Sequence, residues 1–91
     1  MSWTILYTAS AARAIRSLDR RVQRRVRAAV EKLQAEPERG KPLQLTLKGL
    51  RSWRTCDYRI IYRIRRDVLE ILVVAVGHRR EVYDRVRGLL R

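Results

Sequence analysis

The chain has one cysteine, one histidine, two prolines and nine acidic residues among 91. A single cysteine, Cys56, excludes an intrachain disulfide framework and a cysteine-built zinc site. It fits a reducing cytoplasm, which is the expected location. With one histidine, His78, and no pair of acidic residues of active-site character, no Ser-His-Asp or Cys-His arrangement is legible. No carboxylate cluster offers to hold a metal, and no glycine-rich loop offers to cradle a phosphate, so neither metal nor cofactor is expected. The first residues lack the charged start and apolar run of a secretory leader, and none is expected. The longest apolar run, Ile71 to Gly77, is far too short to span a bilayer, so no membrane partner is expected. Repeats and low-complexity segments are also missing.

Basic charge fills the space these absences leave. Lys and Arg number 22, of which 19 are Arg, and the formal net charge is +13. Arginine presents a planar fork that matches phosphate and stacks on bases. A polyanion is therefore the expected partner, either nucleic acid or an acidic protein. Hydrophobic residues still make up 46% of the chain, enough for a folded core. The length suits one domain, 1–91, burying roughly two-thirds of its unfolded surface.

Trp3 to Tyr7 reads as a short strand, with Thr8 or Ser10 able to cap the helix that follows. Ala12, Ile15 and Leu18 recur at helical spacing, and Asp19 stands where a second cap belongs. Val22, Val26, Ala29, Val30 and Leu33 form one apolar stripe, ended at Glu36-Pro37-Glu38 because proline cannot continue a helix interior. The product is a helical hairpin with one apolar and one very basic face. That basic face is either a solvated surface or a long-range attraction for RNA or an acidic partner. Arg39 to Leu50 reads as a connector in which Leu43, Leu45 and Leu47 alternate, so that a short edge segment packs its leucines on the core.

The chain is organised around Trp53 to Tyr83, read as two strands, Asp57–Arg65 and Val68–Val76, joined at Arg65-Arg66-Asp67. Tyr58, Ile60, Tyr62 and Ile64 alternate onto a core face, with Arg59, Ile61, Arg63 and Arg65 on the other. Arginines two residues apart on a strand stand roughly 7 Å apart, comparable to successive phosphates. Val68 to Val76 is apolar nearly throughout, as for a central strand covered on both faces. Glu81 to Leu90 reads as a closing helix, with Val82, Val86 and Leu89 on one side.

Any chemistry on this chain must run on Arg, Tyr and His, and RNA cleavage can be done that way. The 2′-hydroxyl attacks the neighbouring phosphate, and fixed guanidinium groups stabilise the charge gathered on the phosphoryl oxygens. A base takes the hydroxyl proton and an acid protonates the leaving oxygen. Tyr83 and His78 are the neutral candidates near the arginine strand.

Asp57-Tyr58-Arg59-Ile60-Ile61-Tyr62, followed by Val76-Gly77-His78-Arg79-Arg80-Glu81-Val82-Tyr83, resembles two motifs of the RelE/ParE superfamily of toxins from type II toxin–antitoxin pairs. These are its central "YR-aliphatic-aliphatic-Y" strand and its C-terminal "GHR…VY" signature. The likeness covers nearly the whole chain and is stronger to the RelE branch. It implies an α+β, microbial-ribonuclease-like fold, with a small antiparallel sheet on an N-terminal helical hairpin. It also implies a ribosome-dependent, metal-independent endoribonuclease that cuts mRNA in the A site, and a cognate antitoxin that blocks it. By the same likeness Arg59 stabilises the scissile phosphate, Arg79 assists phosphate or leaving group, and Tyr83 acts as base or stacks on the substrate base. Arg51, Arg54, Arg63, His78 and Arg80 are the expected RNA-binding residues. The alternatives are a ParE-like gyrase inhibitor without nuclease chemistry, and a basic RNA-binding module.

This chain departs from the likeness at two places. Some members carry two lysines on the strand before the "YR" motif, where this chain has Arg51-Ser52-Trp53-Arg54. The family prefers glycine where Cys56 stands, and Cys56 is expected to be a small buried residue. Packing supplies a second reading for several other positions. Tyr58 and Tyr62 suit core aromatics, and His78 suits a residue that orients the turn. Arg63 and Arg65 suit guards against edge pairing, while Trp53 suits either core or cleft.

Overall fold

Thr8 and Asp19 decide where the helices begin. In the computed structural model, which describes residues 3–78 and 81–89, β1 (Thr4–Tyr7) runs into α1 (Ala9–Arg16). The Thr8 hydroxyl accepts the Ala11 amide at 3.1 Å, as an N-cap does. The Asp19 carboxylate accepts the Val22 amide at 3.1 Å and starts α2 (Arg20–Ala35), which stops before Pro37. Gln23 donates to the Leu18 and Arg16 carbonyls at 2.8 and 3.2 Å, satisfying acceptors that the end of α1 leaves open.

Beyond the hairpin come β2 (Lys41–Pro42), β3 (Arg51–Thr55), β4 (Tyr58–Arg65), β5 (Glu70–His78) and α3 (Glu81–Leu89). They make a five-stranded sheet in the order β1-β5-β4-β3-β2. Pairing from β2 to β5 is antiparallel, as expected; α1 and α2 carry the chain from β1 to β2 at the far edge, and the meander back brings β5 beside β1 in parallel. The fold is α+β, with the sheet on the helical hairpin. No helix among the described residues is long and apolar enough to cross a membrane.

Two hydrophobic clusters flank the sheet. On the hairpin side, Val26, Val30 and Leu33 of α2 and Ile15 of α1 meet Ile60, Tyr62, Ile71 and Val73. Burying each such aliphatic side chain is worth about 1.5–3 kcal/mol. On the other side, Val82 and Val86 of α3 pack with Leu47, Leu50, Ile61 and Ala75. The face of β4 that carries arginines is thus half covered, because Ile61 lies fully buried beneath α3. A register shift at Ile61/Tyr62 leaves Val74 without a cross-strand partner. Its carbonyl accepts the Thr8 hydroxyl at 2.9 Å, so the cap of α1 also satisfies the bulge.

Three expectations change. The strand read as Val68–Val76 is Glu70–His78; Val68 and Leu69 belong to the turn and are exposed. The ion pair of Arg65 and Glu70, at 3.3 Å on the last rung, closes the hairpin ahead of them. Leucines 43, 45 and 47 do not alternate as a strand: Leu45 begins a 3₁₀ turn at φ 56° and is 90% exposed, while Leu47 is buried. The stretch before the "YR" motif is a strand, β3, as the resemblance implied. Cys56 is exposed, not buried, because it sits in the tight β3–β4 turn at φ 52°. That is the left-handed region, which explains why glycine is favoured at such a position. Leu89 lies within α3, but its side chain is outside the described residues.

Tyr62 ties the connector to the core. Its hydroxyl donates to the Pro37 carbonyl at 2.6 Å and accepts the Gly40 amide at 3.0 Å. Burial pushes this phenol above its ordinary value of 10.0, against the opposing pull of the Gly40 amide and Arg51. A raised value means that the protonated form is favoured by folding. The stabilisation is therefore full below pH 10.0 and is lost as pH rises through the higher, folded value.

Three variants test this packing by thermal denaturation. Tyr62→Phe should cost about 1–3 kcal/mol, since it strands the buried Gly40 amide, and should flatten the alkaline loss of stability. Cys56→Gly should gain up to about 1 kcal/mol, seen as a melting point roughly 4–8 °C higher. A Cβ on Gly77 would stand 2.9 Å from the Val82 Cβ, so Gly77→Ala should cost about 1–3 kcal/mol and loosen α3.

Candidate active site

Directly opposed residues of an antiparallel pair share a face of the sheet. Arg54 of β3 faces Arg59 of β4, and Ser52 faces Ile61, so Ser52, Arg54 and Arg59 all point toward the α3 side. Arg59 in turn faces Gly77 of β5. The missing side chain at Gly77 leaves room for Val82, which packs fully buried over it. Tyr83, the next residue, is thereby brought against the arginines. Its ring centroid lies 5.8 Å from the Arg59 guanidinium carbon, and its hydroxyl is 3.0 Å from the Ser52 hydroxyl.

These groups border a cleft of about 390 Å³, completed by Arg39, Lys41, Pro42, Leu43 and Trp53. Trp53 donates its indole N–H to the Ala29 carbonyl at 3.2 Å, which fixes the ring. Arg39 lies over that ring at 5.7 Å and pairs with Glu36 at 3.2 Å. Four cations thus line one cleft with two aromatic rings and no carboxylate among the described residues.

The electrostatics are costly for folding alone. Like charges directly opposite across a sheet destabilise it, and Arg54 and Arg59 are so placed. Arg59 Nε is buried and has no hydrogen-bond partner among the described residues, a defect worth about 1–3 kcal/mol or more. An anion between the two guanidinium groups would remove the like-charge penalty. The cleft can therefore hold a phosphodiester, stabilise charge on its oxygens and present a phenol beside it.

Of the residues expected from the sequence, Arg54, Arg59 and Tyr83 come together here. Arg51 does not. It points to the opposite face, where its guanidinium donates to the Gly40 and Glu38 carbonyls at 3.1 and 3.2 Å and holds the connector. Arg63 is exposed on the Leu72 rung, outside the cleft. His78 shares a rung with Tyr58, on the hairpin side of the sheet. Its ring meets Tyr58 edge-on at 5.2 Å, and its Nε2 lies 4.0 Å from the Asp57 carboxylate. Arg79 and Arg80 lie outside the described residues. Ser52, Arg39 and Lys41 were not foreseen. Ser52 was findable, since it stands two residues before Arg54 on the same face of a strand, but only once β3 is recognised as one. Arg39 and Lys41 carry no periodic signal and arrive through the connector.

Comparison with known proteins places the chain in a family. A family model described as the ParE toxin of type II toxin–antitoxin systems matches residues 5–83. Toxin RelG of Mycobacterium tuberculosis is 36% identical over 87 residues, which cover 93% of this chain and 100% of that protein. A chain of the RelBE2 toxin–antitoxin complex from the same organism superposes with a TM-score of 0.80 at 34% identity, covering 87% of this chain and 100% of that one. The isolated RelE toxin of E. coli shares the fold at a TM-score of 0.74 and 17% identity, covering 98% and 99% of the two chains.

Proposed function

The chain belongs to the ParE toxin family, within the RelE/ParE superfamily of type II toxins, and from that premise we propose that it is a ribosome-dependent endoribonuclease that cuts mRNA in the A site. The observation that carries this reading is the Arg54–Arg59 rung with the Tyr83 ring against it. Uncompensated guanidinium groups beside a phenol suit a phosphodiester about to be attacked by its own 2′-hydroxyl. In that step a bond forms from the 2′-oxygen to phosphorus, and the bond from phosphorus to the 5′-oxygen breaks. The product end is a 2′,3′-cyclic phosphate, or a 3′-phosphate after water adds. Arg59 stabilises the phosphoryl charge, and Arg79, by its place in the motif, assists the phosphate or the leaving oxygen. Tyr83 takes the 2′-hydroxyl proton or stacks on the base. Arg54, Arg63 and Arg80 hold RNA by charge, and water supplies the proton to the leaving oxygen. Arg51 and His78, held on the other face, contribute through the scaffold.

A cognate antitoxin is the expected partner. Similar toxins are known in antitoxin complexes, among them the RelBE2 chain. The basic face of the hairpin has arginines 13, 16, 20, 21, 24, 25 and 27 exposed. It borders a hollow of about 380 Å³ under Tyr7, Ile15, Arg27 and Glu31. An acidic amphipathic helix would meet both charge and groove.

The match to the ParE family favours a second reading, a gyrase inhibitor that binds without cutting. Expression of the chain and of Arg59→Ala, with mRNA ends mapped on translating ribosomes, separates the two. Cuts within A-site codons are expected for the wild type, falling at least about 100-fold in Arg59→Ala, the usual effect of removing one electrostatic stabiliser. Growth arrest without cuts, together with gyrase inhibition, would move the protein to the second class. In vitro, Arg54→Ala and Arg59→Ala should each reduce the salt slope of single-stranded RNA binding by about 0.7. An unchanged slope would remove that arginine from the phosphate path.

A further inference from the structure

The contact between Ser52 and Tyr83 joins β3 to α3 at the mouth of the cleft. Ser52 is held on both sides by the sheet, opposite Lys41 on one flank and Ile61 on the other, so its hydroxyl is fixed in place. Tyr83 sits on the first turn of α3, and that helix is already anchored by the fully buried Val82 and Val86. The 3.0 Å contact between their hydroxyls is therefore not needed to dock the helix.

Its consequence is directional. A phenolic hydrogen lies in the plane of its ring and has two settings. A phenol is also a better donor than an aliphatic hydroxyl, so the stronger bond runs from Tyr83 to Ser52. With its hydrogen committed to Ser52, the phenol oxygen turns a lone pair toward the cleft, where Arg54 and Arg59 would hold the phosphate. We infer that Ser52 is a positioning residue that makes Tyr83 an acceptor toward the 2′-hydroxyl of the bound RNA: as the phenol oxygen takes that proton, its own hydrogen passes to the Ser52 oxygen and the Ser52 hydrogen passes to water in the cleft. This rests on the endoribonuclease reading and deepens it. The site is thereby specific for ribose over deoxyribose, since only ribose offers that hydroxyl. Without Ser52, the phenolic hydrogen is free to swing into the cleft and oppose the incoming proton.

The test is cleavage of ribosome-bound mRNA under single-turnover conditions by four proteins: wild type, Ser52→Ala, Ser52→Thr and Tyr83→Phe, with the Ser52→Ala/Tyr83→Phe double variant added. Ser52→Ala should cut about tenfold more slowly, the scale of one lost hydrogen bond, with an unchanged melting point and RNA affinity. Ser52→Thr, which keeps the hydroxyl, should restore the rate. In the Tyr83→Phe background, Ser52→Ala should cause no further loss, because its effect passes through the phenol. A Ser52→Ala rate equal to wild type overturns the inference. So does a loss that persists in Tyr83→Phe, or one that tracks a lowered melting point, since either marks a role independent of the phenol. A wild type that leaves mRNA intact overturns the nuclease reading and this inference with it; cutting by wild type and Ser52→Ala alike overturns the inference alone.

Discussion

The packing of Val82 over the bare backbone of Gly77 is the constraint on which the site depends. Arg59 needs a neighbour on β5 that has no side chain, or α3 would be held away from the sheet. With glycine there, α3 closes over Ile61 and Ala75, and Tyr83 follows Val82 into contact with Arg59 and Ser52. One absent Cβ thus sets both the core packing and the site geometry on the α3 face of the sheet. The "GHR…VY" pattern is the sequence trace of this arrangement. Glycine admits the helix, valine seats it, and tyrosine is delivered one residue on.

The elements written in local chemistry were the legible ones. The caps at Thr8 and Asp19, the stripe on α2 and its stop before Pro37 are short-range facts, and each reads off a few adjacent residues. The central strand was legible because Tyr58 to Ile64 alternates so cleanly. What escaped needs partners distant in sequence. Val68 and Leu69 look like strand by composition, and only the Arg65–Glu70 rung shows that the strand starts after them. Arg51 to Arg54 was legible as a strand only through the resemblance, because its own pattern is weak and its pairing with both β2 and β4 is not local. The exposed Cys56 belongs to the same lesson: a small residue beside the central strand looks internal until the tight turn joining β3 to β4 is counted. Arg51 and His78 were grouped with Arg59 on chemistry alone. The pleat separates them, since each lies on a rung whose side chains face the hairpin.

Charge gives the other half of the account. The ion pairs among the described residues sit on exposed side chains, where each is worth about 0–1 kcal/mol, so the acidic residues do little to relieve a net charge of +13. The fold tolerates this because its cores are apolar and contain no buried charged residue among those described. Arginine, with its weaker hydration and long apolar stem, suits such a surface better than lysine. The arginines of α2 show the same division, their stems flanking an apolar stripe while their heads face solvent.

Arg54 and Arg59 are different, because their cost is local and structural. A sheet gains nothing by setting two guanidinium groups on one rung or by burying a donor that bonds to nothing. Either residue could be replaced by threonine or valine with better pairing. The arrangement lowers the stability of the free protein, and an anion held between the two guanidinium heads would offset the repulsive part of that cost. An acidic partner laid over this cleft would relieve the same strain. The free protein therefore has a reason, written into its β3–β4 hairpin, to favour an anion-bound state over the unbound one.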